Sequence, residues 1–416
     1  MGSNGTIIYQ GKYDGRNVAV KRIVKEYKDV AIKETDNLTT SDSHTNVVRY
    51  FGREYDQDFI YLAMERCNCS LYDLIQIYLD AFKDDAADDT REARVIPDHK
   101  ISLDLIKVLW YPNGNPSPIL LKLLRDIVSG LVHLHELGII HRDLKPNNVL
   151  ILNQYKSLCV KLSDMGISRR LDENMSSLGD QATGCGSSGW KAPEQLGHGR
   201  QTKAMDMFSL GCVIFYCITC GRHPFGEPFE RDDNITKGQF DLSSVEHIPE
   251  AVDLITQLLK PISKLSDRPK ASEVLQHPLF WNAETRTSFL KEASDRVIME
   301  YGASKSVILT SLETRASIVL RGEGWDKKVN GLLINHLVQH RHGKGYDYNK
   351  VEQLLRAIRN TLNHYKELPS PIQVVLGTSP DGVDDYFASR FPEFLMEVYK
   401  VMYSNCITED WFRRYL

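Results

Sequence analysis

The sequence predicts a two-lobed α+β fold followed by an all-α domain. Strand-like alternation of apolar residues fills much of the first 70 residues and gives way to long helical patterns. By contrast, residues 282–416 show helical periodicity and no useful strand alternation. The chain of 416 residues is long enough for two or three domains.

The composition is that of an ordinary globular protein, with 42% hydrophobic and 25% charged residues. A net charge of −4 argues against a protein that binds polyanions over its whole surface, so any nucleic-acid site must be a local basic face. The longest apolar run near the middle of the chain, from Cys212 to Ile218, is far shorter than the roughly 20 residues of a membrane helix.

A polar loop at residues 140–150 holds the groups that phosphoryl transfer needs. Asp143 would take the proton of the substrate hydroxyl, Lys145 would neutralise the moving phosphoryl group, and Asn148 would bind Mg²⁺. The order and spacing match the protein-kinase catalytic loop H-R-D-x-x-x-x-N residue for residue. A polar turn between two buried strands would not require this order of groups.

The residues before this loop resemble the nucleotide-binding part of a kinase. Gly2 and Gly5 are interpreted as the second half of a glycine-rich loop, whose backbone can approach phosphates closely. Its first half is missing, so we expect the chain to begin inside a longer protein. Lys21 lies in a strand similar to the kinase V-A-I-K strand and would meet the α- and β-phosphates. A helix over 30–38 would carry Glu34, the ion-pair partner of Lys21.

Two further segments predict paired strands and the hinge between the lobes. Residues 46–52 and 59–64 have the apolar patterns of strands. Met64, Glu65 and Cys67 then occupy the place where a kinase hinge offers backbone groups to adenine, with Met64 as the gatekeeper. We therefore expect these three residues to line the ATP site.

The segment after the catalytic loop provides a second metal ligand. Asp164 follows an apolar strand and precedes a glycine, as in the kinase D-F-G motif, with Met165 in place of phenylalanine. Asp164 would bind Mg²⁺ together with Asn148, whereas the packing of Met165 is left open. The stretch 168–188, rich in serine and glycine, resembles an activation loop and offers candidate phosphoacceptors.

These motifs predict the domain boundaries. Residues 1–66 would form a kinase N-lobe truncated at the glycine-rich loop, and residues 67–281 would form the C-lobe. An insert near 78–118, rich in charge and proline, is interpreted as a solvated loop. Residues 282–416 would form a small helical domain.

One helix of this last domain, over 351–365, has two different faces. A leucine-rich stripe about 100° wide would face the core. The opposite face carries guanidinium, amide and imidazole groups, which can bind a phosphodiester and move a proton; they belong to Arg356, Arg359, Asn360, Asn363 and His364. Upstream, residues 336–348 are interpreted as a basic, aromatic loop suited to single-stranded RNA. From spacing alone, a solvated helix face is at least as good an explanation.

A complete kinase followed by this domain resembles the inositol-requiring endoplasmic-reticulum stress sensors, a family of kinase–endoribonucleases. Residues 354–360, followed by His364 and Tyr365, are similar to the ribonuclease helix of that family, and residues 164–168 are most similar to plant members. The resemblance implies four nuclease residues. His364 would be the general acid, Tyr346 would assist as base, and Arg359 and Asn360 would hold the phosphoryl oxygens.

The resemblance also implies how such a protein works. ATP or ADP and Mg²⁺ would bind between the lobes, and the chain would phosphorylate itself as a homodimer or a higher oligomer. The nuclease would cleave stem-loop mRNA without a metal and so start the unconventional splicing of a bZIP transcription-factor transcript in the unfolded protein response. Members of this family span the membrane through segments that this chain lacks, so the chain would be the soluble portion on the cytosolic face of the endoplasmic reticulum.

Other kinds of protein share some of these features. Ribonuclease L shares the architecture, but it has degenerate kinase motifs and an ankyrin sensor, whereas this chain keeps its kinase residues and shows no ankyrin period. Two alternatives from other classes remain open: a serine/threonine kinase whose C-terminal helices only dock a partner, and a non-catalytic nucleotide-binding scaffold. Asp143, Asn148 and Asp164 argue against the scaffold, and the polar face of the helix over 351–365 argues against the simple kinase.

Overall fold

The computed structural model describes most of the chain, namely residues 6–82, 101–154, 157–170, 186–197, 199, 201–261, 268–302, 306–340 and 345–416. The predicted site residues Gly2 and Gly5 lie outside the described residues, as do 83–100 of the predicted insert, 171–185 of the predicted activation loop and 341–344 of the predicted RNA-binding loop. The chain separates into two compact units, formed by residues 1–246 with 251–275 and by residues 247–250 with 276–416.

The first unit opens with a four-stranded antiparallel sheet and one helix. The elements are β1 (Ile7–Tyr13), β2 (Arg16–Val24), α1 (Lys28–Ser41), β3 (Tyr50–Tyr55) and β4 (Phe59–Glu65), with the strands in the order β1-β2-β4-β3. Asp14 and Gly15 both have positive φ, which is the backbone that a two-residue hairpin between β1 and β2 requires. Ala31 of α1 packs with apolar residues of β2 and β4 in one cluster, which fixes the helix against the sheet.

The strand predicted over 46–52 is wrong in its first half, because β3 begins only at Tyr50. The backbone before Tyr50 pairs with a different part of the chain. Val48 N–H donates to the carbonyl oxygen of Leu162 at 2.9 Å, and Leu162 N–H donates to that of Asn46 at 2.8 Å. An apolar pattern identifies extended backbone but not its partner, which is why the sequence merged two different pairings into one strand.

The remaining elements before residue 276 are mainly helices, with two small sheets between them. In chain order they are β5 (Cys69–Ser70), α2 (Leu71–Phe82), α3 (Leu103–Lys107), α4 (Pro118–Glu136), β6 (Ile139–Ile140), β7 (Val149–Gln154), β8 (Ser157–Leu162), β9 (Arg169–Arg170), α5 (Pro193–Leu196), α6 (Ala204–Ile218), α7 (Arg231–Lys237), α8 (Pro249–Leu259) and α9 (Ala271–Leu275). The sheets have the orders β5-β7-β8 and β6-β9. Helix α6 is buried along almost its whole length, as its apolar sequence requires.

The solvated loop predicted near 78–118 is wrong for residues 78–82, which belong to α2, and for residues 101–118. Leu109 and Trp110 are 0% and 5% exposed, and Trp110 Nε1 donates to the carbonyl oxygen of Cys217 in α6 at 3.0 Å. The ring of Trp110 also lies 4.3 Å from that of Tyr78 in α2. Charge and proline content suggested a loop, but a few apolar residues pack into the core, and burial of those side chains outweighs the local composition.

The second unit consists of helices in the part that the structure describes. They are α10 (Ala283–Ile298), α11 (Val307–Glu313), α12 (Ala316–Leu320), α13 (Gly331–His340), α14 (Val351–Asn363), α15 (Ser370–Leu376), α16 (Asp381–Arg390), α17 (Phe394–Cys406) and α18 (Asp410–Arg413). The predicted leucine-rich stripe of α14 is fully buried at Val351, Leu354 and Leu355. Across the described ranges of both units, no helix is both long and apolar enough to cross a membrane.

Candidate active sites

A buried lysine in the first unit joins two carboxylates from distant parts of the chain. Lys21 lies on β2 opposite Leu62 of β4, and its Nζ is 2.7 Å from Glu34 Oε1 and 2.7 Å from Asp164 Oδ1. Glu34 lies on the buried side of α1. Asp164 follows β8 with a φ of 60°, a conformation that is uncommon for residues other than glycine. The structure thus joins the sheet, the helix and the predicted metal-binding segment through one ammonium group.

These three charges shift one another's pKa. Burial opposes the charged form of Lys21, but the carboxylates of Glu34 and Asp164 outweigh burial and raise the pKa of Lys21 above its usual range. Burial raises the pKa of Glu34, and Lys21 only partly offsets this. Burial also acts to raise the pKa of Asp164, but the charge of Lys21 and its hydrogen bond together outweigh burial and lower that pKa. Asp164 is therefore ionised at neutral pH, as a metal ligand must be.

The predicted catalytic loop has its three polar residues in direct contact. Lys145 Nζ lies 2.9 Å from Asp143 Oδ2, and Asn148 Nδ2 donates to the same oxygen at 2.9 Å and to the carbonyl oxygen of Asp143 at 2.8 Å. Asp143 Oδ1 accepts from the backbone N–H of Ser187 at 2.8 Å, and Lys145 Nζ donates to the Ser187 hydroxyl. Ser187 therefore belongs to this site, although the sequence pattern predicts only that it lies in a serine-rich loop.

A buried aspartate from α6 holds the backbone of this loop in place. The two carboxylate oxygens of Asp206 accept from the N–H groups of His141 and Arg142, each at 2.8 Å, and the imidazole of His135 lies 2.9 Å away. Burial acts to raise the pKa of Asp206, but the hydrogen bond from His135 and the nearby imidazoles lower it. Arg142 has a φ of 71°, so the loop turns sharply one residue before Asp143. The Asp206 contacts offset the cost of this strained backbone.

Met165 and the predicted hinge residues have well-defined positions. Met165 is fully buried, and its sulfur accepts a contact from the Ser41 hydroxyl of α1 at 3.9 Å, so a thioether fills the place expected for a phenylalanine ring. Met64 is buried in β4 beside Ala19 of β2. The Glu65 carboxylate lies 2.8 Å from Lys161 Nζ, and the Glu65 N–H donates to the carbonyl oxygen of Arg49 at 2.9 Å, so neither group is available for the predicted adenine contact.

The side chains of this site fit Mg²⁺, which takes oxygen ligands. Asn148 uses its amide nitrogen on Asp143, so its amide oxygen is the atom that would bind a metal. Asp164 holds Lys21 through Oδ1. Its side chain is 39% exposed, compared with 9% for Lys21, so the carboxylate is accessible to a metal ion. Ser163, the neighbour of Asp164, donates its N–H and its hydroxyl to the carbonyl oxygen of Asn148 at 3.0 and 2.9 Å, which ties the two predicted metal ligands together.

In the second unit, three of the four predicted nuclease residues form a chain of hydrogen bonds. Arg359 Nε donates to Asp295 of α10 at 2.7 Å, and Arg359 Nη1 donates to Asn360 Oδ1 at 3.2 Å. Asn360 Nδ2 then donates to the hydroxyl oxygen of Tyr346 at 3.1 Å. Tyr346 is only 6% exposed, and its ring packs edge-on against Trp325 with a centroid distance of 5.5 Å. This tyrosine is thus part of the core rather than of an open RNA-binding loop.

The fourth predicted nuclease residue, His364, lies at the C-terminal end of α14. Its N–H donates to the carbonyl oxygen of Asn360 at 3.1 Å, which places the two side chains one helical turn apart. The side chain of His364 is 55% exposed, and its Nδ1 lies 2.9 Å from Glu367 Oε2. Two carboxylates from outside α14 also lie beside these groups, Asp295 at Arg359 and Glu367 at His364.

Family comparisons cover the whole chain. Residues 1–280 match the description "Protein kinase domain", and residues 286–416 match "Ribonuclease 2-5A". The serine/threonine-protein kinase/endoribonuclease IRE1a of Arabidopsis thaliana is 53% identical over 100% of this chain and 49% of its own length. An Arabidopsis relative named as an inactive serine/threonine-protein kinase/endoribonuclease IRE1-like is 38% identical, over 100% of this chain and 76% of its own length. A Schizosaccharomyces pombe relative, the sensor for unfolded proteins in the ER ire1, is 35% identical over 100% and 38%.

The chain spans about half the length of the curated relatives it matches first, between 43% and 49% of them. These matches confirm the predicted resemblance, including the similarity to plant members. They also confirm the predicted fold class, a bilobal protein kinase fold followed by an all-α ribonuclease domain. The proposed domain boundaries and the roles of individual residues stay predictions.

The contacts of Lys21 predict the effect of replacing Glu34. Glu34→Gln keeps the shape of the side chain but removes one of the two carboxylates that hold Lys21, so phosphoryl transfer from ATP should fall by about 10²-fold through loss of positioning. The initial rate of phosphate incorporation measures this. Glu26→Gln, at an exposed position before α1, is the matched control and should keep the parent rate. A folded Glu34→Gln protein with the parent rate would contradict the positioning role.

Proposed function

The chain belongs to the IRE1 family of serine/threonine-protein kinase/endoribonucleases, and from this premise we propose that it carries both activities. It would be a serine/threonine autokinase coupled to a metal-independent endoribonuclease. The observation that carries the proposal is the presence of two complete polar sets, one in each unit. In the first unit, Lys21 pairs with Glu34 and Asp164, and Asn148 donates to Asp143. In the second unit, Arg359, Asn360 and Tyr346 are linked by hydrogen bonds, and His364 lies one helical turn after Asn360.

Family membership alone leaves the activity undecided, because one relative is named as inactive. The contacts of the first unit support an active kinase. Lys21 is engaged by Glu34, the Asp143 carboxylate is oriented by Lys145 and Asn148, and all the groups that the chemistry uses are present. An inactive scaffold would have no need of an ionised Asp164 next to a buried lysine.

In the kinase reaction, each residue of this set has one task. Asp143 accepts the proton of a serine or threonine hydroxyl as its oxygen forms a bond to the γ-phosphorus of ATP. The bond from that phosphorus to the oxygen of the β-phosphate breaks, ADP leaves, and Lys145 stabilises the charge of the phosphoryl group. Lys21 binds the α- and β-phosphates, and Met64, Glu65 and Cys67 line the adenine site. Asn148 and Asp164 would hold Mg²⁺, and a metal ion there would supply neutralisation of the negative charge on the phosphate oxygens.

The second unit carries the groups for cleaving RNA by internal transesterification. Tyr346 assists removal of the 2′-hydroxyl proton as the 2′-oxygen attacks the adjacent phosphorus. The bond to the 5′-oxygen then breaks, and His364 protonates that oxygen. Arg359 has five N–H donors, of which Asp295 and Asn360 occupy only some, so the guanidinium can also bind phosphoryl oxygens. Cations, amides and an imidazole stabilise this transition state without a metal ligand set.

The setting and partners of the reaction follow from the family. We propose that the chain acts on the cytosolic face of the endoplasmic reticulum as the effector part of an unfolded-protein-response sensor. It would cleave stem-loop mRNA, including a bZIP transcription-factor transcript whose unconventional splicing then begins. Its other partner would be a second copy of itself, in a homodimer or a higher oligomer that phosphorylates in trans.

Autophosphorylation within residues 168–188 is the first expected outcome. With ATP and Mg²⁺, mass spectrometry of the purified chain should find phosphate on serine or threonine there, and Asp143→Ala should abolish it by removing the base. Asp104→Ala, at an exposed position of α3, should behave as the parent does. Phosphate that persists in Asp143→Ala, with no other kinase present, would refute the assignment of the base.

RNA cleavage should be separable from phosphoryl transfer. His364→Ala should slow cleavage of a short RNA stem-loop by roughly 10²–10⁴-fold through loss of a general acid, while autophosphorylation continues. Because His364 is exposed, stability should change by less than about 0.5 kcal/mol. Ser370→Ala, at an exposed position of α15, is the control, and EDTA should leave cleavage by a preformed dimer intact. Parent-rate cleavage by folded His364→Ala would favour the alternative in which the helices only dock a partner.

Nucleotide should control the ribonuclease by favouring the dimer. A ligand shifts an equilibrium only by its differential affinity for the two states, so ADP should raise the dimer fraction and the cleavage rate together. Sedimentation velocity with and without ADP, run beside a cleavage assay at the same protein concentrations, measures both. Cleavage at the full rate in a strictly monomeric sample would end this part of the proposal.

A further inference from the structure

A short segment of the first unit, residues 186–189, is held by one carboxylate of α7. The Ser188 hydroxyl donates to Asp232 Oδ2 at 2.6 Å. The N–H of Gly189 donates to the other carboxylate oxygen, Asp232 Oδ1, at 2.7 Å. Asp232 therefore anchors two consecutive residues of this segment to the start of α7.

The same segment contacts the proposed catalytic base. The N–H of Ser187 donates to Asp143 Oδ1 at 2.8 Å, and Lys145 Nζ donates to the Ser187 hydroxyl. Ser187 thus orients the base and the cation of phosphoryl transfer, while Asp232 holds the next two residues along the chain. A shift of the segment by about 1 Å would misplace both groups, and a shift of that size can lower a rate by roughly 10²-fold.

The backbone of the segment is closely packed on both sides, whereas the side chain of Ser188 is exposed. Gly186 has a φ of 103°, and a Cβ at this position would lie 3.0 Å from the carbonyl oxygen of Arg142. Gly189 has a φ of 82°, and a Cβ there would lie 2.8 Å from Arg231 Cδ. Both positions require glycine because the backbone runs so close to its neighbours. A group added to the Ser188 oxygen is therefore accessible from solvent but cannot be accommodated by a small backbone movement.

A phosphoryl group on Ser188 would bring like charges together. It carries roughly −1.5 to −2 charges at pH 7, and it removes the hydroxyl hydrogen that Asp232 accepts. Arg231 also packs on this segment, but its Nε donates to the carbonyl oxygen of Gly226 at 2.9 Å. The Asp232 carboxylate, 2.6 Å from the Ser188 oxygen, is therefore the charged group that the phosphate meets first. Like charges at such a short separation repel each other even near the protein surface.

We propose that Ser188 is a phosphorylation site through which the kinase limits its own activity. This inference rests on the proposed kinase function and deepens it. Asp143 of a second copy accepts the proton of the Ser188 hydroxyl as the Ser188 oxygen forms a bond to the γ-phosphorus of ATP. The bond from that phosphorus to the oxygen of the β-phosphate breaks, and ADP leaves. The phosphoryl group then repels Asp232, the segment 186–189 shifts, and Ser187 no longer orients the base.

The first test follows phosphate and activity together in the full chain with ATP and Mg²⁺. Peptide mass spectrometry over time should find phosphate on Ser188 in the parent and none in Asp143→Ala. Phosphate transfer to an added serine-containing peptide should slow by about 10²-fold in the fraction that carries phosphate on Ser188. Ser188→Gln keeps a donor for Asp232 but cannot be phosphorylated, so it should hold its initial rate throughout. A parent that is phosphorylated elsewhere but never on Ser188 would overturn the proposal, whereas a parent with no phosphate at any position would show that the proposed kinase function has failed.

The second test separates the charge of the added group from its size, in proteins treated with a phosphatase before the assay. Ser188→Glu should slow peptide phosphorylation by about 10–10²-fold, whereas the uncharged Ser188→Gln, of the same shape, should stay within about threefold of the parent. Asp232→Asn combined with Ser188→Glu should restore the rate to within about fivefold, because the asparagine amide donates to the glutamate and its oxygen still accepts from Gly189. Melting curves show that each variant is folded. Equal slowing by Ser188→Glu and Ser188→Gln, or no restoration in the double variant, would contradict repulsion by Asp232.

Discussion

The two ion pairs of the Lys21 ammonium group, with Glu34 and Asp164, are the contacts on which the kinase unit depends. Burying one cation between two carboxylates is costly unless all three groups are well paired, and here each of the two distances is 2.7 Å. The pairing ties strand β2 to helix α1 and to the segment after β8. The Lys21 ammonium group also lowers the pKa of Asp164, which keeps this predicted metal ligand charged. The same few atoms therefore stabilise the fold and belong to the groups predicted to bind phosphate and metal.

The polar face of α14, formed by Arg359, Asn360 and His364, is held in place in a different way. Its polar groups are exposed or half-buried, and packing of α14 on a leucine-rich core holds the backbone that carries them. Asp295 pairs with the Arg359 guanidinium, and Glu367 contacts the His364 imidazole. Exposed ion pairs of this kind are weak, so an RNA phosphate can compete for the same donors. The two chemistries thus need no shared residue.

Sequence patterns predicted the features that depend on the spacing of residues within one segment of the chain. Spacing within one element determines the catalytic loop, the buried stripe of α14 and the order of the motifs, so the sequence predicts all three. Contacts between elements could not be predicted in this way. Trp110 packing on α6, the partners of Val48, and the carboxylates beside Arg359 and His364 depend on which segments meet in space. The buried position of Tyr346 belongs to the same class, because its partner Trp325 is 21 residues away.

The central claim is that a kinase is joined to a ribonuclease that needs no metal, and the chemical nature of the RNA ends tests this claim most directly. The parent chain with ADP should convert a stem-loop RNA into fragments that end in a 2′,3′-cyclic phosphate and begin with a 5′-hydroxyl, because the 2′-oxygen is the nucleophile. Mass spectrometry of the fragments distinguishes these ends from others. Fragments with a 3′-hydroxyl and a 5′-phosphate would show that water is the nucleophile and would contradict the account.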